Sequence, residues 1–330
     1  ASLCIKRAAF HLINAPPHRR RGLLLSPTLQ RGGRATVHVA DSRYSGVLSV
    51  SAASGSDVDE KSLAVAVESS TGYQVTCTDV GTVRLSNVTL SLVTVSRLHV
   101  VDIVDTRVEE DTRFAGCINP VSRDASPRQI RLIRVRGDLI RFADIDASTA
   151  PITVAVRQLR SFVSSSNLRL FVMSNVLGAG SFFGIEQSAL VSVAVGGLVL
   201  ANGSTVVLRN STVDETVSVE ESVVERASAI VLRHAQITSQ TAVANRVHLR
   251  NVRFDNRSSF VAAHLALEPP VASGRGARTH WAVRVFDCSF AGESLLSVSN
   301  VSIVDTKSFS SGVPDTAVTG GVTVGASVFD

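Results

Sequence analysis

The sequence predicts an all-β protein built as a right-handed parallel β-helix, and three observations carry that expectation. The first is composition: 45% of the residues are hydrophobic but only 5% aromatic, with 51 Val, 1 Met and 1 Trp. Valine loses χ1 freedom in a helix and packs well on a pleated surface, so this bias favours strands. The second is a short apolar–polar phrase that recurs along the chain. The third is the elastic spacing of that phrase, which a stack of β-coils tolerates because its turns can loop outward, whereas a helical solenoid must hold its period. The right hand follows from the strong bias of parallel crossovers. A β-sandwich of unrelated short strands is the alternative with similar local signals. Disorder of the whole chain is excluded, because charged residues make up only 18% and mean hydropathy is +0.24.

The first 43 residues differ from the rest. They carry eight basic residues against Asp41 alone, so the net charge of +5 for the whole chain resides in this segment and the remainder is nearly neutral. A pI near 9.4 therefore does not indicate a nucleic-acid binder. The segment resembles a transit peptide in composition and lacks an apolar run long enough for a secretion signal. It is expected to be a flexible basic leader, 1–43, followed by one elongated solenoid over 44–330 that belongs to a longer chain.

The phrase is clearest at Val83-Arg84-Leu85-Ser86-Asn87-Val88-Thr89-Leu90 and Val206-Val207-Leu208-Arg209-Asn210-Ser211-Thr212-Val213. It returns at 230–237, 247–254 and 283–290, with looser copies around Asp102, Arg134, Asn175 and Asn300. Apolar residues alternate with Arg, Ser, Thr or His, the period of a strand with one face inward. The Asn or Asp after the apolar pair marks a bend, because those side chains bond nearby backbone groups and tolerate the left-handed region. Stacking is expected to align such amides into ladders. Taking the polar pivot as the marker, successive spacings are 15, 32, 41, 35, 24, 17, 36 and 13. Several of the larger values are near twice the smaller ones.

Between the copies, Gln187 to Leu208 runs 22 residues without a charge, long enough for a membrane span. Its apolar residues alternate, however, and Gly196-Gly197 and Asn202-Gly203 interrupt it, so it reads as successive buried strands. Ser222 to Ala235 has near-helical apolar spacing but overlaps a phrase and reads as strand and turn. Arg123 to Arg128 and Glu268 to Arg278, flanked or interrupted by Pro and Gly, are expected to loop outward.

Little in the sequence carries chemistry. Cys4, Cys77, Cys117 and Cys288 lie too far apart for a zinc motif; three disulfide pairings are open, and buried thiols are the simpler reading. The acidic groups (Asp57, Asp59 and Glu60; Glu109, Glu110 and Asp111; Asp144 and Asp146; Asp214 and Glu215; Glu220 and Glu221) match no hydrolase motif. Asp144 and Asp146 are expected to share a strand face as solvated side chains. The histidines are singletons, and His234 replaces a pivot amide, which suggests hydrogen bonding rather than catalysis. Arg128, Arg131, Arg134, Arg136 and Arg141 form a basic stripe without interleaved aromatics. No phosphate-binding glycine loop is present. No catalytic, metal-binding or cofactor-binding residue is expected. Glycosylation sequons stand at Asn87, Asn202, Asn210, Asn256 and Asn300, three of them on pivots.

The Val-x-Leu-x-Asn-x-Thr phrasing, the Arg and Val bias, and the Ser-Asn-Val-Thr and Ser-Asn-Val-Ser tags at 86–89 and 299–302 resemble the dispersed gene family surface proteins of trypanosomes. The resemblance covers roughly Val37 to Asp330 and is one of texture, so it transfers no functional residue. It implies a pectin-lyase-like β-helix from a cell-surface or secreted glycoprotein, with any membrane anchor outside this stretch. The function expected is a non-catalytic adhesion module presenting its surface to protein or carbohydrate ligands, without nucleic acid. The alternative is a polysaccharide lyase or glycoside hydrolase on the same scaffold, which needs converging acids in a groove.

Overall fold

The computed structural model describes residues 2–6, 9–10, 23–26, 34–52, 63–115, 128–148, 150–161, 168–178, 180–238, 245–267, 281–303, 322–325 and 328–329. Among them there is no helix, and strands pair in parallel with the same segment one coil further along the chain. The architecture is a parallel β-helix, and the sandwich alternative falls because its sheets would be antiparallel.

Three stacks of strands form the walls. The first wall runs through Leu63–Glu68, Arg128–Ile133, Ile152–Arg157, Phe182–Glu186, Thr205–Arg209 and Ala229–Arg233, and into Ser259–Leu267 and Leu295–Ile303. The second includes Val47–Ser51, Arg107–Ala115, Leu139–Ala143, Arg169–Met173, Ala189–Gly196, Thr212–Glu220, Asn245–Arg250 and Trp281–Phe286. The third is narrow, two residues per coil, from Asp146–Ala147 through Val199–Leu200 to Ser289–Phe290. The uncharged run at 187–208 resolves into Ala189–Gly196, Val199–Leu200 and the start of Thr205–Arg209, as its alternation predicts. Ser222 to Ala235 is likewise strand and turn.

Inward positions of all three walls are apolar and sealed: Val83 and Leu85, Val154 and Val156, Leu170 and Val172, Val206 and Leu208 are all buried. Identical positions on successive coils meet at about the 4.7–4.9 Å interval of neighbouring strands, so like stacks on like. Phe114 lies over Phe142 with centroids 4.9 Å apart and Phe254 stacks on Phe290 at 4.6 Å, both pairs in strand register, while Phe142 of the second wall meets Phe183 of the first edge-on at 4.9 Å. Few aromatics suffice because Val fills most rungs of such narrow coils.

The solenoid also enters the expected leader. Ser2–Lys6 pairs in parallel with Ala35–Ala40, which pairs in turn with Leu63–Glu68, and Val37 and Val39 are buried in the core. Of the basic residues in this segment, Lys6 and Arg43 stand in strands, while Arg7, Arg19, Arg20, Arg21 and Arg31 lie outside the described residues. The expected loops at 123–127 and 268–278 lie outside the described residues, while Arg128 already begins a strand.

The bends correct the reading of the pivots. After the first wall, every coil turns on one left-handed residue: Asp41, Ser69, Asn87, Asp105, Arg134, Gln158, Gln187, Asn210, His234, His264 and Asn300, with φ from 46° to 56°. After the second wall a separate column turns on Asp79, Arg97, Asp144, Ser174, Gly197, Glu221, Asn251 and Asp287. The sequence markers at 87, 134, 210, 234 and 300 belong to the first corner, and those at 251 and 287 to the second. Asp102 is a strand residue, and Asn175 follows its bend. Mixing two corners of one coil gives the short spacings of 17 and 13, and the spacing of 15 comes from counting Asp102 in place of the Asp105 bend. The expected ladder of Asn amides does not form, because Asn87, Asn210 and Asn300 are several coils apart; one amide pair stands on consecutive bends, Gln158 Nε2 donating to Gln187 Oε1 at 3.5 Å. Side-chain identity is free here: the bend serves to keep the backbone N–H donating across coils, as from Asn87 to the Val104 carbonyl and from Gln187 to that of Arg209.

The internal ladder lies one residue later. The buried hydroxyl of Ser188 accepts the Leu159 N–H at 3.2 Å and donates to the Glu186 carbonyl at 2.8 Å, while the Ser188 N–H donates to Ser211 Oγ at 3.2 Å. Ser42 and Ser70 repeat the arrangement at the first corner, and Ser222 with Leu198 at the second. A serine is short enough to turn inward and still satisfy both a donor and an acceptor that the bend strips from the sheets. Ser188→Ala is expected to lower stability by about 1–3 kcal/mol, since it leaves the buried Leu159 amide without that acceptor. Urea denaturation checks this, and an unchanged midpoint would show the ladder to be dispensable.

Candidate functional site

The first corner also builds a polar concavity, an open cleft of about 430 Å³ spanning four coils. Its floor is the residue two positions after each bend: Thr89, Arg107, Arg136 and Arg160, paired one above the other. One arginine per coil is thus presented at strand spacing along the solenoid axis. Arg136 and Arg160 are exposed, and among the described residues neither forms an ion pair. Arg107 reaches Glu109 at 3.2 Å. The rim is the column of bends, where Arg134 donates twice to Asp105, at 2.5 and 2.7 Å. That double bond holds the Asp105 carboxyl below its ordinary range, so it stays ionised and occupied. Arginines thus outnumber carboxylates on the lining, and the single acid is taken.

The sequence grouped these cations differently. Of the expected basic stripe, Arg128 is buried, Arg131 grips Asp102 with two hydrogen bonds, Arg134 grips Asp105, and Arg141 lies 3.4 Å from Asp111. Only Arg136 is left outward without an ion pair, and its companions Arg107 and Arg160 come from neighbouring coils. The signal that would have found them is a basic residue two places after successive bends, which requires the coil register first.

Several other carboxylates follow the same cross-coil logic. Glu186 takes both Arg157 and Arg209, Glu293 takes Arg257, and Asp214 accepts from Thr238. Burial raises the Asp111 carboxyl against the nearby Arg141. Asp144 and Asp146 do not share a strand face: Asp144 is the bend itself and Asp146 follows the corner, accepting from the Ser148 amide. Asp57, Asp59 and Glu60 lie outside the described residues. Among the described residues no group of three His, Cys, Asp or Glu side chains is disposed to hold a metal ion.

His234 and His264, consecutive bends, stack with centroids 4.6 Å apart and planes 7° from parallel, both exposed. This places His234 in a side-chain stack on the outer edge of the first corner. Cys77 and Cys288 are free and buried, and burial pushes the Cys77 thiol up to about 12, which leaves it unreactive at neutral pH. Cys117 lies outside the described residues, and Cys4 stands in the strand Ser2–Lys6.

All five sequon asparagines occupy left-handed bends and are exposed. Their hydroxyl partners divide them. Ser204 and Ser258 are fully buried in the corner ladder, whereas Thr89, Thr212 and Ser302 remain accessible. In a secreted preparation, occupancy is expected to be higher at Asn87, Asn210 and Asn300 than at Asn202 and Asn256, where folding withdraws the hydroxyl. Site-resolved peptide mass measurement tests this; equal occupancy would remove burial as the determinant.

No helix among the described residues is long and apolar enough to cross a membrane. The chain matches no family model, no curated protein and no solved structure.

Proposed function

We propose that this β-helix is a non-catalytic binding module, part of a cell-surface or secreted glycoprotein, that offers its rigid outer surface to protein or carbohydrate ligands. One observation carries the reading: six carboxylates, Asp79, Asp102, Asp105, Asp111, Glu186 and Glu293, are bound one at a time to arginines of adjacent coils rather than gathered in a groove as a lyase or hydrolase requires. Paired in this way, Asp102, Asp105 and Glu186 act as clamps between rungs. General acid and base work needs two carboxyl groups facing one substrate bond. Exposure of all five sequon asparagines agrees with a glycosylated exterior, and the resemblance to the trypanosome surface family points to the same setting.

The reading is tested by two assays on the full chain. Immobilised protein is expected to retain cells or matrix components, while incubation with neutral and acidic polysaccharides is expected to yield neither new reducing ends nor unsaturated products. Turnover of any of these polymers that scales with protein concentration would replace this reading with the enzyme alternative.

A further inference from the structure

We propose that the arginine-floored cleft is a binding site for a linear polyanionic glycan, bearing sulfate or carboxylate groups, laid along the solenoid axis. This deepens the reading of the chain as a binding module and rests on it. The cations are Arg107, Arg136 and Arg160, one per coil and stacked in register by the parallel pairing. Each guanidinium offers a planar fork that fits an oxyanion with two hydrogen bonds, and it remains charged at any physiological pH. Their interval is the strand interval, about 4.7–4.9 Å. The rise per sugar in an extended pyranose chain is close to this, so a charge carried at regular positions on such a chain meets a guanidinium again after a whole number of coils.

Holding like charges at this interval costs electrostatic energy, and where arginines pair across coils elsewhere, Arg113 with Arg141 and Arg209 with Arg233, one member of each pair is held by a carboxylate, Asp111 or Glu186. Arg131 sits beside Asp102, Arg134 beside Asp105, and Arg157 and Arg209 flank Glu186. On the cleft floor Arg107 has Glu109, but Arg136 and Arg160, paired on successive coils, form no ion pair among the described residues. An anion laid across them supplies the missing counter-charge.

The surroundings favour a glycan over nucleic acid. No aromatic side chain lines the cleft, so there is no platform for stacking unpaired bases. The arginines are recessed between rims formed by bends rather than carried on a protruding helix or ribbon that enters a duplex groove. The lining instead offers small polar groups, Asn87 and Gln158 on the rim and Thr89 on the floor, suited to sugar hydroxyls.

The test uses the full chain produced without N-glycans, because Asn87 borders the cleft. Binding of heparin, hyaluronan and single-stranded homopolymer DNA is measured at low and physiological ionic strength. Two triple variants are compared: Arg107→Ser with Arg136→Ser and Arg160→Ser, and a control with equal charge change at the exposed Arg233, Arg250 and Arg253. Heparin or hyaluronan is expected to bind the parent, roughly a hundredfold weaker to the cleft variant and nearly unchanged to the control. Preference for heparin assigns sulfate as the recognised group, and equal binding of hyaluronan assigns carboxylate. Equal loss in both variants, tighter binding of DNA than of either glycan, or no glycan binding at low salt overturns the proposal. If glycan binding fails while cell or matrix retention persists, the binding-module reading stands and only this cleft is excluded.

Discussion

Phe142→Ala is expected to lower the unfolding free energy by about 3–5 kcal/mol, among the largest effects of any single side chain. Phe142 is fully buried, stacked on Phe114 from the previous coil and meeting Phe183 edge-on. Truncation opens a void the width of a ring between Phe114, held in register with residue 142 by strand pairing, and Phe183, whose strand is paired on both sides in the first wall. A globular core can partly close over such a gap, but coils locked at strand spacing cannot approach one another further. The loss is therefore expected near the upper end of the range. Phe142→Leu restores most of the volume, as Leu and Val already fill equivalent rungs, and is expected to cost less than half as much. Because each coil contacts only its neighbours, weakening one interior interface also uncouples the two halves. Guanidinium denaturation followed by tryptophan fluorescence and far-ultraviolet circular dichroism tests both points, since Trp281 lies on the C-terminal side of the break. Coincident transitions with an unchanged midpoint would contradict them.

Asn175→Leu is the second large effect, expected at about 1–3 kcal/mol for each backbone group left bare. Asn175 is buried, accepts the Ile145 N–H at 2.8 Å and donates to the Phe142 carbonyl at 3.0 Å. It bridges two coils where the second bend takes Ile145 out of the sheet pattern. Leucine matches it in size but has neither donor nor acceptor, so the desolvated amide of Ile145 loses its partner. The contrast is Gln158→Arg in the exposed first-corner column, where Arg134 already occupies the preceding rung; there the change is expected within about 0.5 kcal/mol. Thermal or urea midpoints of the two variants decide the matter. Similar small shifts for both would mean that the buried amide carries no special weight.

These two residues also show what periodicity reveals and what it hides. Asn175 was visible in the sequence as a pivot, one of nine polar markers treated alike, yet it is buried and bonded while Asn87 and Asn210 face solvent. An Asn beside a strand marks a bend in either case, but one residue of offset decides whether its side chain turns in or out. The serines after the bends carried no separate signal, because a serine-rich chain offers many candidates and only the stacking register selects those aimed at an orphaned amide. The cleft was hidden for a related reason. Arg136 stood in a stripe with Arg131 and Arg134, its neighbours in sequence, whereas its neighbours in space are Arg107 and Arg160.

Sequence alone determined the strand character, the inward alternation of Val, Leu and Ile, the bends, and the parallel β-helical class, since all of these depend on residues within a few positions of one another. It also located the five sequons. Tertiary structure decided the rest: that pivots belong to two corners, that strands extend into the basic first 43 residues, that carboxylates such as Asp102, Asp105 and Glu186 are clamped by arginines of adjacent coils, and that three arginines form one floor. In a parallel β-helix the length of each coil varies while the spacing between coils is fixed by the backbone. Local pattern therefore specifies each rung, and only the register of one rung upon the next specifies which side chains meet.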